Sequence, residues 1–438
     1  MFIVRSPAAP SVLAMPRPLP LTVLSGLLVL ATATPAAARH APGVATLPAI
    51  GLARVEPGLV GADRQIRLGG IGSGLYPADR AGEYWTVTDR GPNGQIKVDG
   101  TNRRTFPVPD FDPAIIRVRA RGDRLDVLQV IPIRGRSGAP VTGLSNQSRD
   151  EQPYTFDART PLALNPDGLD PEGIVRTRDG GFWLVEEYSP SLVHVSATGR
   201  VLARYVPRGL SLTGTDYPVI EALPSILLFR KQNRGFEGIA LAPDGRTVYL
   251  AVQSPLLVPT KKAGEASRNA RIIRVDLATR RVTGEYAYRF EDVTTFDPAA
   301  GGDPSQLKIS ELTALDRHRL LVDERTDNVA RIYVVDLRRA TNLLGGRYDD
   351  PATAPSLEQL TDPATEGVTV LPKRLALDLA TIPGVPGKIE GVALLGGHRV
   401  AIANDNDFGM TDGPAAFDPA GNLIDSGVPT RLWTLRLG

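Results

Sequence analysis

The chain has 438 residues, with 50 basic against 48 acidic side chains, four histidines and no cysteine. The near-zero charge and the lack of any five-residue Lys/Arg run exclude a general nucleic-acid or polyanion binder. The missing cysteine excludes disulfides, zinc–thiolate sites, iron–sulfur clusters and thiol nucleophiles together.

Leu19 to Ala33 is an apolar stretch of signal-peptide length, too short for a comfortable membrane span. Arg17 flanks it, and Ala36-Ala37-Ala38 follows as a small-residue cleavage site. We expect residues 1–38 to be a signal peptide, 39–60 an N-terminal arm, and 61–438 a single exported domain. Its destination is the periplasm or the medium, and the mature chain has no membrane span.

From residue 60 onward the sequence repeats. A degenerate first unit, 66–135, carries Gly69-Gly70-Ile71-Gly72, then the β-rich Tyr84 to Thr88 and Ala114 to Val118. Later units, at about 165–206, 235–290, 308–340 and 389–437, start on Pro171-Glu172-Gly173, Phe236-Glu237-Gly238, Ser310-Glu311-Leu312 and Ile389-Glu390-Gly391. In each, a turn rich in Asp and Gly leads to a second apolar run, such as Phe182 to Val185 or Thr247 to Val252, and then to an alternating third run. Period-2 runs bounded by Gly, Asp and Pro are strands. Units of three or four strands repeated around a chain predict an all-β fold, a β-propeller, because a lone four-stranded sheet cannot cover both its faces. Five units are countable, and Leu357 to Leu379 offers strands for another. The expected range is five to seven blades, with six preferred. The stretches 137–164, 208–232, 257–268 and 292–307 read as inserted loops.

In a propeller the first strand of each blade lines the central channel. Glu172, Glu237, Glu311 and Glu390 would therefore converge on one mouth, where unpaired carboxylates repel. A hard divalent cation resolves that repulsion, and Ca²⁺ tolerates the irregular geometry of unlike blades. The alternative is that each Glu bonds within its own blade. Basic residues lie close by: Arg234, Lys308 and Lys388 precede three of the glutamates, and Arg90 and Arg325 end second strands. Facing the mouth they would hold phosphate or carboxylate oxygens; otherwise they pair with neighbouring acids. The second-strand ends carry a further polar set, Asp89, Glu186-Glu187, Gln253, Asp323-Glu324 and Asn404 to Asp407, for which turn capping is the stronger expectation. No nucleophile elbow, Walker loop, H-E-x-x-H or dinucleotide fingerprint occurs. The catalytic residues stay unknown.

Asn233-Arg234-Gly235-Phe236-Glu237-Gly238-Ile239, Lys308-Ile309-Ser310-Glu311-Leu312, Lys388-Ile389-Glu390-Gly391-Val392 and Asn404-Asp405-Asn406-Asp407-Phe408, with Thr88 to Asn93 and Asp170 to Ile174 before them, resemble the exported "esterase-like activity of phytase" family. The resemblance spans roughly residues 60–437. It implies a phytase-like propeller, calcium-dependent, that hydrolyses phosphoesters or other esters of a small-molecule substrate; separately, a monomer is expected. In that reading Glu172, Glu237, Glu311 and Glu390 are metal ligands and Arg90, Arg234, Lys308, Arg325 and Lys388 bind substrate. The competing expectations are a lactonase resembling the gluconolactonase propellers and an exported binding platform without catalysis.

Overall fold

The computed structural model describes residues 43–147, 150–396 and 398–437. The signal-peptide expectation lies outside them. Among the described residues no helix is long and apolar enough to cross a membrane.

The alternating runs form the strands their period predicts, and these group into five four-stranded antiparallel blades. Blade one holds Leu75–Pro77, Glu83–Val87, Ala114–Arg121 and Arg124–Pro132, and blade two holds Pro171–Arg176, Phe182–Glu186, Ser191–Val195 and Val201–Pro207. Blade three holds Phe236–Leu241, Thr247–Val252, Asn269–Asp276 and Arg281–Arg289. Blade four holds Lys308–Ala314, Arg319–Arg325, Ala330–Asp336 and Lys373–Asp378. Blade five takes Ile389–Leu395, Arg399–Asn404 and Arg431–Arg436 from the end of the chain and Gly43–Thr46 from its start. The segment read as an arm thus supplies the outer strand of the last blade. Antiparallel pairing of Gly43–Thr46 with Arg431–Arg436 ties the two ends of the described chain together.

Ring closure is visible in the packing. The first strands of successive blades lie side by side, and that of blade five lies against that of blade one. Each junction buries its own apolar cluster. Trp85, Val87 and Ile115 meet Ile174, Phe182 and Leu184 between blades one and two. Tyr84, Ile116 and Val118 meet Ala393, Ala401 and Leu432 between one and five. At the first of these the Trp85 and Phe182 rings cross edge to face, centroids 5.0 Å apart. Stacking of this kind is what removes both faces of every sheet from water.

The ring has five blades, within the expected range but one fewer than preferred. Residues 357–379 build no separate blade: Lys373–Asp378 is the fourth strand of blade four, and the residues before it form 3₁₀ turns (Leu357–Gln359, Pro363–Glu366). Two expected loops contain strands. Val219–Leu223 adds a parallel fifth strand to blade two. Pro153–Thr155 joins the hairpin Gly94–Val98 and Thr101–Phe106 in a small sheet outside the blades.

Candidate functional site

The position of each repeated glutamate follows from a register irregularity at the start of the inner strand. In blade two Val185 pairs with Gly173 and Glu186 with Pro171, which leaves Glu172 as the extra residue of a bulge. Glu237 and Glu390 are skipped in the same way in blades three and five. A bulge re-aims the side chain it carries, and here all three glutamates line a cavity of about 630 Å³ at the ring mouth.

Blade four is shifted by one residue. Ile309 pairs with Glu324 and Glu311 with Asp323, so the extra residue is Ser310. Glu311 takes the register position that Gly173, Gly238 and Gly391 hold in the other blades. Those glycines sit where inner strands touch: a Cβ on Gly238 would lie 2.6 Å from the Leu312 nitrogen, and one on Gly173 2.8 Å from the Glu237 carbonyl oxygen. Glu311 reaches across the ring centre instead of the mouth. Its carboxylate accepts N–H bonds from Leu75 of blade one (3.3 Å), Ile239 of blade three (3.2 Å) and its own neighbour Leu312 (2.8 Å). The expectation that it joins the other three glutamates is corrected by this one-residue slip, which turns a side chain to the other face.

The cavity is lined by ten carboxylates and six basic side chains; five of the carboxylates cluster together, and four of the others, Asp327, Glu390, Asp405 and Asp407, pair with the bases. Asp89, Asp170, Glu172, Glu187 and Glu237, from blades one to three, form an acidic wall. Asp170, Glu172 and Glu187 each offer an oxygen within 4.8 Å of the other two. Glu237 Oε2 and Gln253 Oε1 are buried without a hydrogen-bond partner among the described residues, and so is Asp170 Oδ2, which lies 3.7 Å from the Arg90 guanidinium. Burial, and then the neighbouring Glu237 carboxylate, push the carboxyls of Glu172 and Glu187 well above the usual range. Burial and Asp405 do the same to Asp89, while burial and Glu390 raise Glu237 to about 8. Oxygen-only donors, carboxylate-rich and under-bonded, suit a hard cation of the calcium type.

Opposite stands a basic wall from blades three to five. Arg234 donates to Ser254 Oγ (3.0 Å) and the Ser305 carbonyl (3.1 Å), and no carboxylate lies within ion-pair distance of it among the described residues. Lys308 donates to the half-exposed Asp327 at 2.7 Å. Burial, then Arg325 and Arg234, lower its ammonium to about 8. Arg325 is ion-paired with Glu390 and donates to Ser310 Oγ at 2.6 Å.

The remaining predicted binders are already engaged. Lys388 donates to Asp405 at 2.6 Å and to Asp407 at 2.5 Å. Arg90 is buried: it donates to the Gly143 carbonyl (3.1 Å), Asn233 Oδ1 (3.3 Å), Ser145 Oγ (3.2 Å) and Glu151 (3.0 Å), between the rings of Phe106 and Tyr188. It braces the loops that wall the mouth.

The second polar set divides by alternation along the strand. Glu187 faces the cavity, whereas Glu186 points into blade two and pairs with buried Arg204 at 2.9 Å. Arg325 lines the cavity, whereas Glu324 bonds Lys373 at 2.7 Å on the other face. Asp323 is buried beneath, its carboxylate oxygens unpartnered among the described residues and its pKa raised by that burial. Several cavity residues, among them Asp170, Asp327 and Arg104, escaped the sequence reading as site candidates. Asp170 precedes the strand and showed only as part of a family motif; Asp327 lies in the turn after Arg325. The signal for Asp170 was its place two residues before a bulged Glu.

A family model described as Phytase-like, esterase-like activity of phytase, matches residues 66–408. An uncharacterized secreted protein of Arthroderma benhamiae is 27% identical over 311 residues, which span 60% of this chain and 60% of that protein's length. Among solved structures, the calcium-binding protein regucalcin of Agrobacterium tumefaciens aligns with 90% of this chain and 96% of its own at 11% identity and a TM-score of 0.33. The PQQ-bound aldose sugar dehydrogenase of Streptomyces coelicolor aligns with 91% and 98% at 10% identity and a TM-score of 0.34.

Proposed function

This chain belongs to the Phytase-like family, esterase-like activity of phytase, and on that premise we propose that it is an exported hydrolase of phosphoesters or other esters. The reaction takes place at the five-bladed mouth, with Ca²⁺ held by Asp170, Glu172 and Glu187 and flanked by Asp89 and Glu237. The observation that carries this reading is the two-sided cavity: under-bonded buried carboxylates on one wall face Arg234, Lys308 and Arg325 on the other. A bound divalent cation would neutralise substrate oxyanions and polarise the bond to be broken. Arg234 has N–H groups to offer an anion without first giving up a carboxylate. Arg325, fixed by Glu390 and Ser310, orients the wall. Export rests on the Leu19–Ala33 segment and on the secreted relative.

Calorimetric titration of the metal-free protein with Ca²⁺, paired with assays on phytate, p-nitrophenyl phosphate, p-nitrophenyl acetate and a lactone, tests the reading. Glu172→Gln and Glu187→Gln are each expected to weaken ion uptake by about 100-fold or more, since affinity follows ligand charge. Turnover should fall with it. A protein that takes up no Ca²⁺ and hydrolyses none of these compounds is not this enzyme, and exclusive turnover of the lactone makes it a lactonase.

Lys308 gives a second test. Its ammonium is lowered to about 8, so the amine is neutral above that pH and charged below it. An anion binds only the charged form well, hence phosphate affinity should decline as pH rises from 7 to 9. Lys308→Met should bind phosphate about tenfold more weakly at pH 7 and show a shallower decline with pH, the part left coming from Glu237, which ionises near 8 in the same cavity. A wild-type affinity that stays flat over this range removes Lys308 from the anion site.

A further inference from the structure

The mouth opens sideways. A second cavity, of about 660 Å³, lies between the Gly94–Val98/Thr101–Phe106 hairpin and the residues around 150 and 232, and it shares Gln95, Arg104, Asn233 and Arg234 with the first. Its chemistry differs from that of the mouth. The mouth carries an excess of four carboxylates, whereas the side cavity has three acidic and three basic side chains and so no net charge. Two of its basic groups are also neutralised or covered locally. Arg104 pairs with Glu151 at 3.2 Å, and Arg103 lies over the Tyr154 ring, 4.8 Å from its centroid. Apart from Arg234, at the boundary with the mouth, and the exposed Asp99, what remains to meet a ligand is amide: five Asn or Gln side chains line the space, and those of Gln95 and Asn102 have no partner among the described residues. Apolar lining amounts to Val98 and the covered Tyr154 ring.

From this juxtaposition we infer that the side cavity holds the alcohol half of the substrate, and that this half is an uncharged, hydroxyl-rich group such as a sugar or polyol. The inference rests on the ester-hydrolase reading of the mouth. Amide side chains both donate and accept, which is what a hydroxyl needs from its partner. A fatty acyl or aryl group would find no apolar wall, and a polyphosphorylated group would find no net positive charge to balance it. The ester therefore lies with its anionic end between the acidic and basic walls and its neutral end under the hairpin.

The test is equilibrium binding by titration calorimetry in 1 mM Ca²⁺, with inorganic phosphate, glucose 6-phosphate, inositol hexakisphosphate and glucose as probes. Wild-type protein is expected to bind glucose 6-phosphate about tenfold more tightly than inorganic phosphate. The double variant Asn102→Leu/Gln232→Leu, altered only in the side cavity, should lose that advantage and keep its affinity for inorganic phosphate. Equal affinity of wild type for the two, or a double variant that keeps the preference, overturns the inference. So does inositol hexakisphosphate binding that depends on the same two amides more steeply than glucose 6-phosphate does. If inorganic phosphate fails to bind, the anion reading of the mouth falls. Glucose then decides for the side cavity alone: binding that the double variant abolishes sustains it, and no binding removes it.

Discussion

Glu311→Ala is expected to lower folding stability by about 4 kcal/mol, the largest loss from any single carboxylate at the ring centre, while Ca²⁺ uptake per folded molecule is retained. The side chain ties three main-chain N–H groups on blades one, three and four to one buried point. Truncation leaves all three amides without an acceptor, at about 1–3 kcal/mol each for a buried donor, and opens a void where five inner strands converge. Burial pushes the Glu311 carboxyl well up, and the three amide bonds pull against that shift. Glu311→Gln keeps one acceptor oxygen and the volume, so it should cost about half as much. Urea unfolding of the three proteins, with Ca²⁺ titration of the folded fraction, gives the answer. If Glu311→Gln is as stable as wild type yet fails to take up Ca²⁺, Glu311 is a ligand and the register argument collapses.

That prediction reverses the role the repeat assigned to Glu311, and the reason shows how far a repeat can be read. Apolar and polar alternation sufficed for nearly every strand, because burial of one face enforces period 2 and the sequence has to obey it. Alternation does not record a bulge. Glu172, Glu237 and Glu390 are each followed by glycine, the residue that lets inner strands touch. Glu311 is followed by Leu312 and preceded by Ser310, and that single difference was the visible trace of the slipped register. Blade number was blurred for a related reason. Lys373–Asp378 is separated from the strand it pairs with by the long excursion after Asp336, so it read as the start of something new.

The cavity was legible in residue type and less so in arrangement. The sequence supplied acids and bases at comparable places in successive units, and the ring brings eight of the nine nominated side chains to one cavity. It could not say that the acids of blades one to three cluster together while Asp327, Glu390, Asp405 and Asp407 of blades four and five pair with Lys308, Arg325 and Lys388. That difference comes from which unit carries which residue around a closed circle. Nor could it tell Arg234, without a carboxylate partner, from Lys388, held by Asp405 and Asp407, since pairing across turns depends on side-chain reach.

Metal-free protein should become less stable as pH rises from 5 to 8, and Ca²⁺ should cancel the share of that loss that arises at the mouth; Glu56, Glu186 and Glu285, raised to about 8, 7 and 8 away from the mouth, contribute a share that Ca²⁺ leaves unchanged. Asp89, Glu172, Glu187 and Glu237 all have folded-state pKa values raised above the unfolded ones, Glu237 to about 8, with burial the first cause in each. Between the unfolded carboxyl values near 4 and the folded ones, the folded state holds more protons than the unfolded. Their contribution is therefore complete below about pH 4 and is lost as pH climbs through the folded values. Glu237 alone would account for about 4 kcal/mol as an upper figure, on the order of 5–10 °C in melting temperature for a chain of this size. The lowered Lys308 acts with the opposite sign, but only above about 8, outside this window. Asp327, depressed to about 2, has given its full contribution well below pH 5. Ca²⁺ supplies the positive charge that protons supply in acid, so its stabilisation should be slight at pH 5, where protons compete, and largest at pH 8. Thermal unfolding followed by circular dichroism, in chelator and in 1 mM Ca²⁺ at each pH, reads both curves. A metal-free protein that gains stability from pH 5 to 8, or a calcium increment that does not grow with pH, would mean that the acidic wall is satisfied within the chain and holds no cation.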